Sequence, residues 1–236
     1  MCGFFAILQN NPIVDVATAR RALDAIAHRG PDAAGEWRER EVFLGHRRLS
    51  IIDLATGDQP MQSSDARYVI VFNGEIYNFI ELRNLLSREG VVFRTRSDTE
   101  VILEGYCHWG ASVVERLHGM FAFVIWDRLR SSVFGARDRL GIKPLCWAMH
   151  HGALLAASTL EPFATLGTFP RCDLIAVRDL MTFDYIPAPR TLFDGVRKLE
   201  PGSESSSNSS SSSTRTPRSP AWGPLLSMFP VEKEKS

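Results

Sequence analysis

The feature that most restricts the fold is the segment FAFVIWD at 121–127, which is apolar at each of its first six positions. A strand with one face in water alternates apolar and polar residues, whereas a strand that is apolar throughout is covered on both faces. A second strand-like run, SVFGARD at 132–138, follows after a short polar loop, which indicates an antiparallel hairpin. Two facing sheets with helices on their outer sides would cover such a strand, and the segment predicts this arrangement.

Strand-like and helix-like segments alternate through about the first 160 residues. Strands are predicted at 2–8, 42–52 and 68–72, and helices at 16–28, 78–90, from Ser97 onward and at 174–183. Asn78 is the predicted N-cap of its helix, and Gly90 ends that helix. Ser97 and Glu100 have the spacing of a capping box. The chain is therefore expected to be of the mixed α+β type.

The composition changes sharply near residue 203, where the sequence becomes SESSSNSSSSS and then TRTPRSP. A Ser/Pro-rich tract has too little apolar surface to offset the entropy lost on ordering. We therefore predict one folded domain over 1–202, with its core at about 2–160, and a disordered tail over 203–236. WGPLLSMFP at 222–230 is a short apolar island in that tail and is too short to form a domain.

Composition also excludes several classes of function. The 27 Lys and Arg residues balance 27 Asp and Glu residues, which argues against electrostatic binding to nucleic acid or to an anionic membrane. No apolar run approaches the roughly 20 residues that span a bilayer, and the first residues lack the basic start of a signal peptide. The four cysteines are scattered, and His150 and His151 are adjacent, so neither pattern favours a metal site. We expect a cytoplasmic protein.

Cys2, directly after Met1, is the first candidate for chemistry. If Met1 is removed, Cys2 carries a free α-amine, and such amines have a pKa of about 7.7–8.0. This amine can take the proton of the adjacent thiol, so that one residue supplies both nucleophile and general base. A buried cysteine with no function is the ordinary alternative for an isolated Met-Cys start.

The segment FNGEIYN at 72–78 is the second candidate. Asn-Gly after an apolar strand is first of all a turn signal, and we expect a strand that runs into a polar turn here. In a functional interpretation, the Asn73 side-chain amide and the Gly74 backbone N–H donate to one oxyanion. Glycine suits this position because it permits a close approach of the backbone.

Arg48 and Asp98 complete the set of candidates. A guanidinium such as that of Arg48 can bind a carboxylate through two parallel hydrogen bonds. Asp98 could bind a substrate ammonium, although a carboxylate in the first turn of a helix is also explained by the helix dipole. Taken singly, each candidate has such a structural explanation; their order along the chain changes the interpretation.

Seven segments match one family in the same order. They are MCGFFAIL (1–8), HRGPDAAG (28–35), GHRRLSIIDLATGDQPM (45–61), FNGEIYNFIELR (72–83), TRSDTEVIL (95–103), LHGMFAFVIWD (117–127) and ARDRLGIKPL (136–145). With them the chain resembles the class II glutamine amidotransferase domain, and most closely the N-terminal glutaminase half of glutamine-hydrolysing asparagine synthetases. A weaker likeness continues through 185–202.

The resemblance implies the fold of the N-terminal nucleophile hydrolases, a four-layer αββα sandwich of two mainly antiparallel sheets. It also implies hydrolysis of L-glutamine to glutamate and ammonia, in which the Cys2 thiolate attacks the side-chain amide. Asn73 and Gly74 then stabilise the oxyanion, and Arg48 binds the α-carboxylate. Glu75 and Asp98 are assigned to the α-amino end. The backbone of the segment Leu49, Ser50, Ile51 and Ile52 is expected around the ligand.

The glutaminase step implied by this resemblance needs no cofactor and no metal. ATP and Mg²⁺ are implied only for a synthetase domain with an SGGxDS-type phosphate loop, and the sequence contains no such loop. We therefore expect a glutaminase half alone, with L-glutamine as substrate and either a separate synthetase chain or a second copy of the chain as partner. The alternative is a truncated, non-catalytic product or a partner subunit that binds glutamine without turnover. A metal hydrolase is disfavoured.

Overall fold

Two sheets with antiparallel strand pairs lie face to face in the computed structural model, which describes residues 1–9, 14–40, 42–49, 57–167, 169, 171–202 and 204–205. The larger sheet has the strand order β10-β8-β9-β1-β3-β2 and the smaller one β11-β7-β6-β5-β4. The strands are β1 Gly3–Leu8, β2 Ala33–Glu39, β3 Val42–Arg48, β4 Met61–Gln62, β5 Tyr68–Ile76, β6 Gly119–Asp127, β7 Ser132–Arg137, β8 Cys146–His150, β9 Ala153–Ala157, β10 Val196–Lys198 and β11 Glu204–Ser205.

Helices cover the outer faces of both sheets. They are α1 Val16–Asp24, α2 Phe79–Arg88, α3 Asp98–Trp109, α4 Val113–Arg116, α5 Glu161–Leu166 and α6 Leu174–Phe183, with 3₁₀ turns at Ala27–Arg29 and Gly110–Ser112. Helices α2, α3 and α4 share an apolar cluster with the smaller sheet, and α1 and α5 share one with the larger sheet. A third cluster fills the space between the sheets. The described chain is thus an αββα sandwich, as predicted.

Strand β6 confirms the interpretation of its apolar sequence. Phe121, Phe123 and Ile125 pack toward the helices on the outer face of the smaller sheet. Ala122, Val124 and Trp126 pack into the space between the sheets. The hairpin with β7 is also confirmed, with Val124 opposite Gly135 in an antiparallel register.

The predicted turn at Asn73-Gly74 is wrong, because both residues lie inside strand β5. Their partners on β6 are Ala122 and Phe121, and the ladder continues to Ile76. The pairing with a long neighbouring strand supplies backbone hydrogen bonds that a local turn signal does not take into account. The oxyanion candidates are therefore held by a sheet and not by a loop.

Several helix and strand boundaries also differ from expectation. The first helix ends at Asp24 and is followed by the 3₁₀ turn. Gly30 comes directly after this turn and passes against the backbone of Arg47, where a Cβ would collide. The strand predicted over 42–52 is observed over Val42–Arg48 and does not include Leu49; residues 50–52 of the predicted range lie outside the described residues. Strand β2 was not predicted, because its charged residues mask an edge strand that pairs along the whole of β3.

Two predicted helix caps have different outcomes. Ser97 caps α3, because its hydroxyl accepts from the Thr99 N–H at 3.0 Å. The predicted capping box is wrong in its second half, because Glu100 accepts from the N–H groups of Arg94 and Thr95 and the Ser97 N–H donates to the Thr95 hydroxyl. Asn78 precedes α2, but its side chain does not cap that helix. It bonds instead to the Arg116 carbonyl and the His118 N–H, both at 3.0 Å, and so joins the start of α2 to the approach to β6.

The predicted tail begins beyond most of the described chain. Only Glu204–Ser205 of the segment 203–236 is described, and it forms the short strand β11 against β7. The disorder of the remaining tail stays a prediction. In the ranges given above, no helix combines the length and the apolar character needed to span a membrane.

Candidate active site

A cavity of about 150 Å³ opens at one end of the space between the sheets. All of the predicted site residues that the structure describes line it, and they are Cys2, Arg48, Leu49, Asn73, Gly74, Glu75 and Asp98. Ser50, Ile51 and Ile52 lie outside the described residues, so their predicted place around the ligand is untested. Segments that are far apart in the sequence therefore converge on one pocket.

The strands place these residues through the alternation of side chains between the two faces of a sheet. On the inner face, apolar side chains fill the space between the sheets and give way to polar side chains at the cavity. The apolar members are Phe4, Ala6 and Leu8 of β1, Val42 and Leu44 of β3, and Val69 and Val71 of β5. The polar side chains continue the same every-second-residue pattern, and they are Cys2 before β1, His46 and Arg48 on β3, and Asn73 and Glu75 on β5. The cavity is the polar continuation of the inter-sheet core.

Cys2 is half-buried and is held by two other segments. Its Sγ lies 3.4 Å from the Leu49 backbone N and 3.5 Å from the Leu49 carbonyl O. The Arg29 Nε donates to the Cys2 carbonyl at 3.1 Å. Leu49 therefore contacts the candidate nucleophile through its backbone, whereas the predicted role of its backbone around a ligand stays a prediction.

The Asn73 side chain offers a hydrogen-bond donor without a ground-state acceptor. Asn73 is 1% exposed, and its Nδ2 is buried with no hydrogen-bond partner among the described residues. An unsatisfied buried donor costs about 1–3 kcal/mol. Such a group beside a candidate nucleophile is available to a charge that forms only during a reaction.

The Gly74 N–H points to the same edge of β5 as two N–H groups with identified partners. Phe72 donates to the Gln59 Oε1 at 2.7 Å, and Ile76 donates to the Asp98 Oδ2 at 3.1 Å. Amides of a strand alternate between its two edges, so the Gly74 N–H, midway between them, also faces away from β6. A Cβ at Gly74 would collide with the Met120 carbonyl oxygen, so only glycine fits here.

Asp98 lies at the start of α3 and is 4% exposed. Burial raises the pKa of its carboxyl to about 6, and the hydrogen bond from Ile76 opposes this increase. The pKa of the buried His46 falls to about 4 for the corresponding reason, since burial disfavours its charged form. His46 is therefore neutral at pH 7, and its Nε2 lies 3.0 Å from the Phe72 carbonyl O.

Arg48 brings a buried cation to the cavity. Its Nη1 pairs with the Asp58 Oδ1 at 2.8 Å, and the Asp58 side chain is largely exposed. The pairing orients the guanidinium while its side chain remains beneath the surface. The guanidinium of Arg48 is a group that can bind an ionised carboxylate in the cavity through two parallel hydrogen bonds.

Four polar residues that line the cavity were not predicted as site residues: Ser97 and Thr99 at the start of α3, and Gln59 and Lys143. Gln59 connects two walls, since its Oε1 accepts from Phe72 and its Nε2 donates to the Thr99 hydroxyl at 3.3 Å. Lys143 is 5% exposed, and its Nζ lies 3.2 Å from the Met1 Sδ. All four occur in segments quoted above, and for Lys143 a single Lys inside the apolar run LGIKPL was the available signal.

The arrangement is that of an acyl-transfer site. A thiol, two hydrogen-bond donors, a cation and an anion share one cavity, which suits attack on a carbonyl of a substrate that carries both a carboxylate and an ammonium. In the described part of the chain, no group of three or more His, Cys, Asp or Glu side chains is placed to hold a metal ion.

Comparison with known proteins identifies related chains. The family described as "Glutamine amidotransferase domain" matches residues 1–216. Asparagine synthetase [glutamine-hydrolyzing] 1 of Bacillus subtilis strain 168 is 40% identical over 208 residues, which cover 86% of this chain and 33% of that protein. A putative asparagine synthetase [glutamine-hydrolyzing] of Mycobacterium tuberculosis is 44% identical over 223 residues, with 86% and 34% covered. The chain thus spans about a third of the length of these relatives.

A solved structure has the same fold. It is the glutamine phosphoribosylpyrophosphate (PRPP) amidotransferase from B. subtilis in complex with ADP and GMP, with a TM-score of 0.59 and 23% identity. The likeness covers 70% of this chain and 44% of the other. It supports the αββα architecture of the described chain.

Proposed function

Because the chain belongs to the glutamine amidotransferase domain family, we propose that it hydrolyses the side-chain amide of L-glutamine with Cys2 as the nucleophile. The observation that carries the proposal is that the Asn73 donor has no acceptor among the described residues, in the same cavity as Cys2, Arg48 and Asp98. An oxyanion that forms beside this buried donor would accept its hydrogen bond, which explains why the donor is kept unsatisfied in the resting site.

The reaction begins once Met1 has been removed and the α-amine of Cys2 is free. The amine takes the thiol proton, and the sulfur forms a bond to the amide carbon, whose oxygen becomes negatively charged. Asn73 and Gly74 stabilise this oxyanion. The α-ammonium gives its proton to the amide nitrogen, the C–N bond breaks, and ammonia leaves a thioester. Water, deprotonated by the same amine, then hydrolyses the thioester to glutamate and restores the thiol.

Substrate recognition is assigned to the charged side chains that line the cavity. Arg48 binds the α-carboxylate, and Asp98 binds the α-ammonium in its ionised form. Glu75 extends from the same strand as the oxyanion donors and adds negative charge near the ammonium. Together these charges select a free amino acid, because a substrate without both groups would lose one of the two charge-assisted interactions.

The hydrolysis needs no cofactor in this mechanism. By analogy with the relatives, the ammonia would serve the synthesis of asparagine, with ATP and Mg²⁺ bound by a synthetase domain. This domain would come from a separate chain or act within an assembly that contains a second copy of this one. We assign the glutaminase to the cytoplasm.

The test compares three proteins: the wild type, Cys2→Ala, and Cys172→Ala as a matched control. Cys172 is exposed and does not line the cavity, so Cys172→Ala removes a thiol that takes no part in the proposed reaction. Glutamate formation from glutamine is measured together with the intact mass. We expect equal activity of the wild type and Cys172→Ala, and only background with Cys2→Ala. Equal release of glutamate by all three would refute the proposal.

The alternative is a subunit that binds glutamine without turnover, and one contact favours it. Met1 lines the cavity, and a Met1 that stays attached would keep the Cys2 nitrogen in a peptide bond and so remove the base. A mass that includes Met1, together with glutamine binding and no glutamate, would support this alternative over the enzyme.

A further inference from the structure

The loop between β7 and β8 is constructed so that it holds Lys143 in a fixed place. Asp138 accepts N–H groups from both sides of the loop at 2.9 to 3.2 Å, and the donors are Phe121, Leu140, Ile142 and Lys143. Arg137 donates to the carbonyls of Lys143 at 2.8 Å, Gly141 at 2.6 Å and Leu199 at 2.5 Å. Both side chains are buried, so the loop has little freedom to move.

The loop brings the Lys143 ammonium to the nucleophile end of the cavity. Its Nζ contacts the sulfur of Met1, the residue that maturation removes in the proposed mechanism. Burial lowers the pKa of Lys143, and the charge of Arg29 lowers it further. A buried ammonium of this kind costs folding free energy, and a thioether sulfur is only a weak acceptor.

The other charges near Lys143 and Cys2 come from several segments. Arg29 is the second cation, and burial lowers its pKa also. Its Nη2 is buried without an acceptor in the described ranges. Glu75 and Asp138 are the anions that act on Lys143, and Glu161 acts on Arg29. The Asp138 carboxylate already accepts the four N–H groups given above. Arg29 donates to the Cys2 carbonyl, and Lys143 contacts Met1 and lines the same cavity as Cys2, so two cations lie near the start of the chain.

We propose that Lys143 is a positioning residue whose charge sets the protonation of the Cys2 aminothiol. This inference rests on the proposed function. After Met1 leaves, the ammonium faces the new N-terminus, and the like charge disfavours protonation of the α-amine, so that the amine is a free base near pH 7. The same charge stabilises the thiolate once the thiol proton has moved to the amine. The α-ammonium formed beside Lys143 is then a stronger acid toward the departing amide nitrogen.

The test uses Lys143→Met, which keeps an unbranched side chain one atom shorter and removes its charge. Lys143→Arg restores the charge, and Arg139→Met removes an exposed cation from the same loop as a matched control. The rate of Cys2 alkylation by iodoacetamide is measured against pH, with peptide masses to separate Cys2 from the other cysteines. The kcat for glutamine is measured over the same pH range, on protein whose mass shows that Met1 is absent.

We expect the midpoint of the alkylation profile to move about one pH unit higher in Lys143→Met and to stay in place in the other two variants. At pH 7 the kcat should fall about tenfold in Lys143→Met and recover at higher pH. A uniform loss of rate with an unmoved midpoint would overturn the inference, because it indicates a structural role only. If the wild type forms no glutamate, the proposed function fails, while the alkylation profile still tests Lys143.

Discussion

Replacement of Asn73 by alanine distinguishes a catalytic role of its side-chain amide from a structural role. The Nδ2 has no acceptor in the described structure, so its removal breaks no identified ground-state hydrogen bond and ends the cost of a buried unsatisfied group. What is lost is the bond to the oxyanion. Loss of one such donor typically costs about 2.7–4 kcal/mol in the transition state, which is about 10²–10³ in kcat.

The assay measures kcat and KM for glutamine together with urea unfolding. We expect Asn73→Ala to lose activity through kcat, with KM nearly constant and the unfolding midpoint no lower than in the wild type. Asn78→Ala is the matched control from the same motif, since its side chain bonds to Arg116 and His118 and does not line the cavity. This control should keep its kcat and lose about 1 kcal/mol of stability.

A different pattern would refute the assignment of Asn73. If Asn73→Ala raised KM and left kcat unchanged, the side chain would bind the ground state of the substrate. If it lowered stability like Asn78→Ala and left the kinetics unchanged, it would be a structural residue. Either result would remove the central support for an oxyanion site formed with Gly74.

Three further predictions concern the walls of the cavity. Asp98 has a pKa of about 6, so its carboxylate is charged above that pH and neutral below it. KM for glutamine should therefore be constant above pH 6 and rise by up to tenfold per pH unit below it. A KM that stays constant down to pH 5 would contradict the role of Asp98. Gln59→Ala should lower kcat/KM about tenfold, and its effect should be less than additive with that of Thr99→Val in a double-mutant cycle, because the two side chains are hydrogen-bonded. Full additivity would show that this hydrogen bond does not contribute to activity. Gly74→Ala should lose activity and about 1–3 kcal/mol of stability in urea unfolding, because the alanine Cβ would collide with the Met120 carbonyl oxygen. A stable and active variant would show that β5 and β6 can move apart there at little cost.

The sequence predicted most where neighbouring residues carry the information. The uninterrupted apolar run 121–126 required cover on both faces, and both covers are present. Ser97 caps its helix because the bond reaches only to Thr99. The side-chain bonds of Asn78, in contrast, reach residues 38 and 40 positions away, and no local pattern shows them.

The candidate site was predictable as a set of residue types and not as a geometry. Cys2, Asn73, Arg48 and Asp98 were found through their motifs, and the structure places them around one cavity. The sequence did not reveal that the Asn73 side chain lacks an acceptor. The same holds for Lys143, since its proximity to the N-terminus depends on how the loop after β7 folds back.

By itself, therefore, the sequence determined the types of element, the doubly covered strand and the residues capable of chemistry. Alternation along a strand and bonds within one helical turn act over a few residues, so they are visible in the chain. The tertiary structure alone decided that Asn73-Gly74 is strand and not turn, and that Lys143 contacts Met1 in the cavity that Cys2 also lines. These outcomes depend on the pairing of β5 with β6 and on the stacking of two sheets. The free energy of such contacts comes from surfaces distant in sequence, whose register no local pattern specifies.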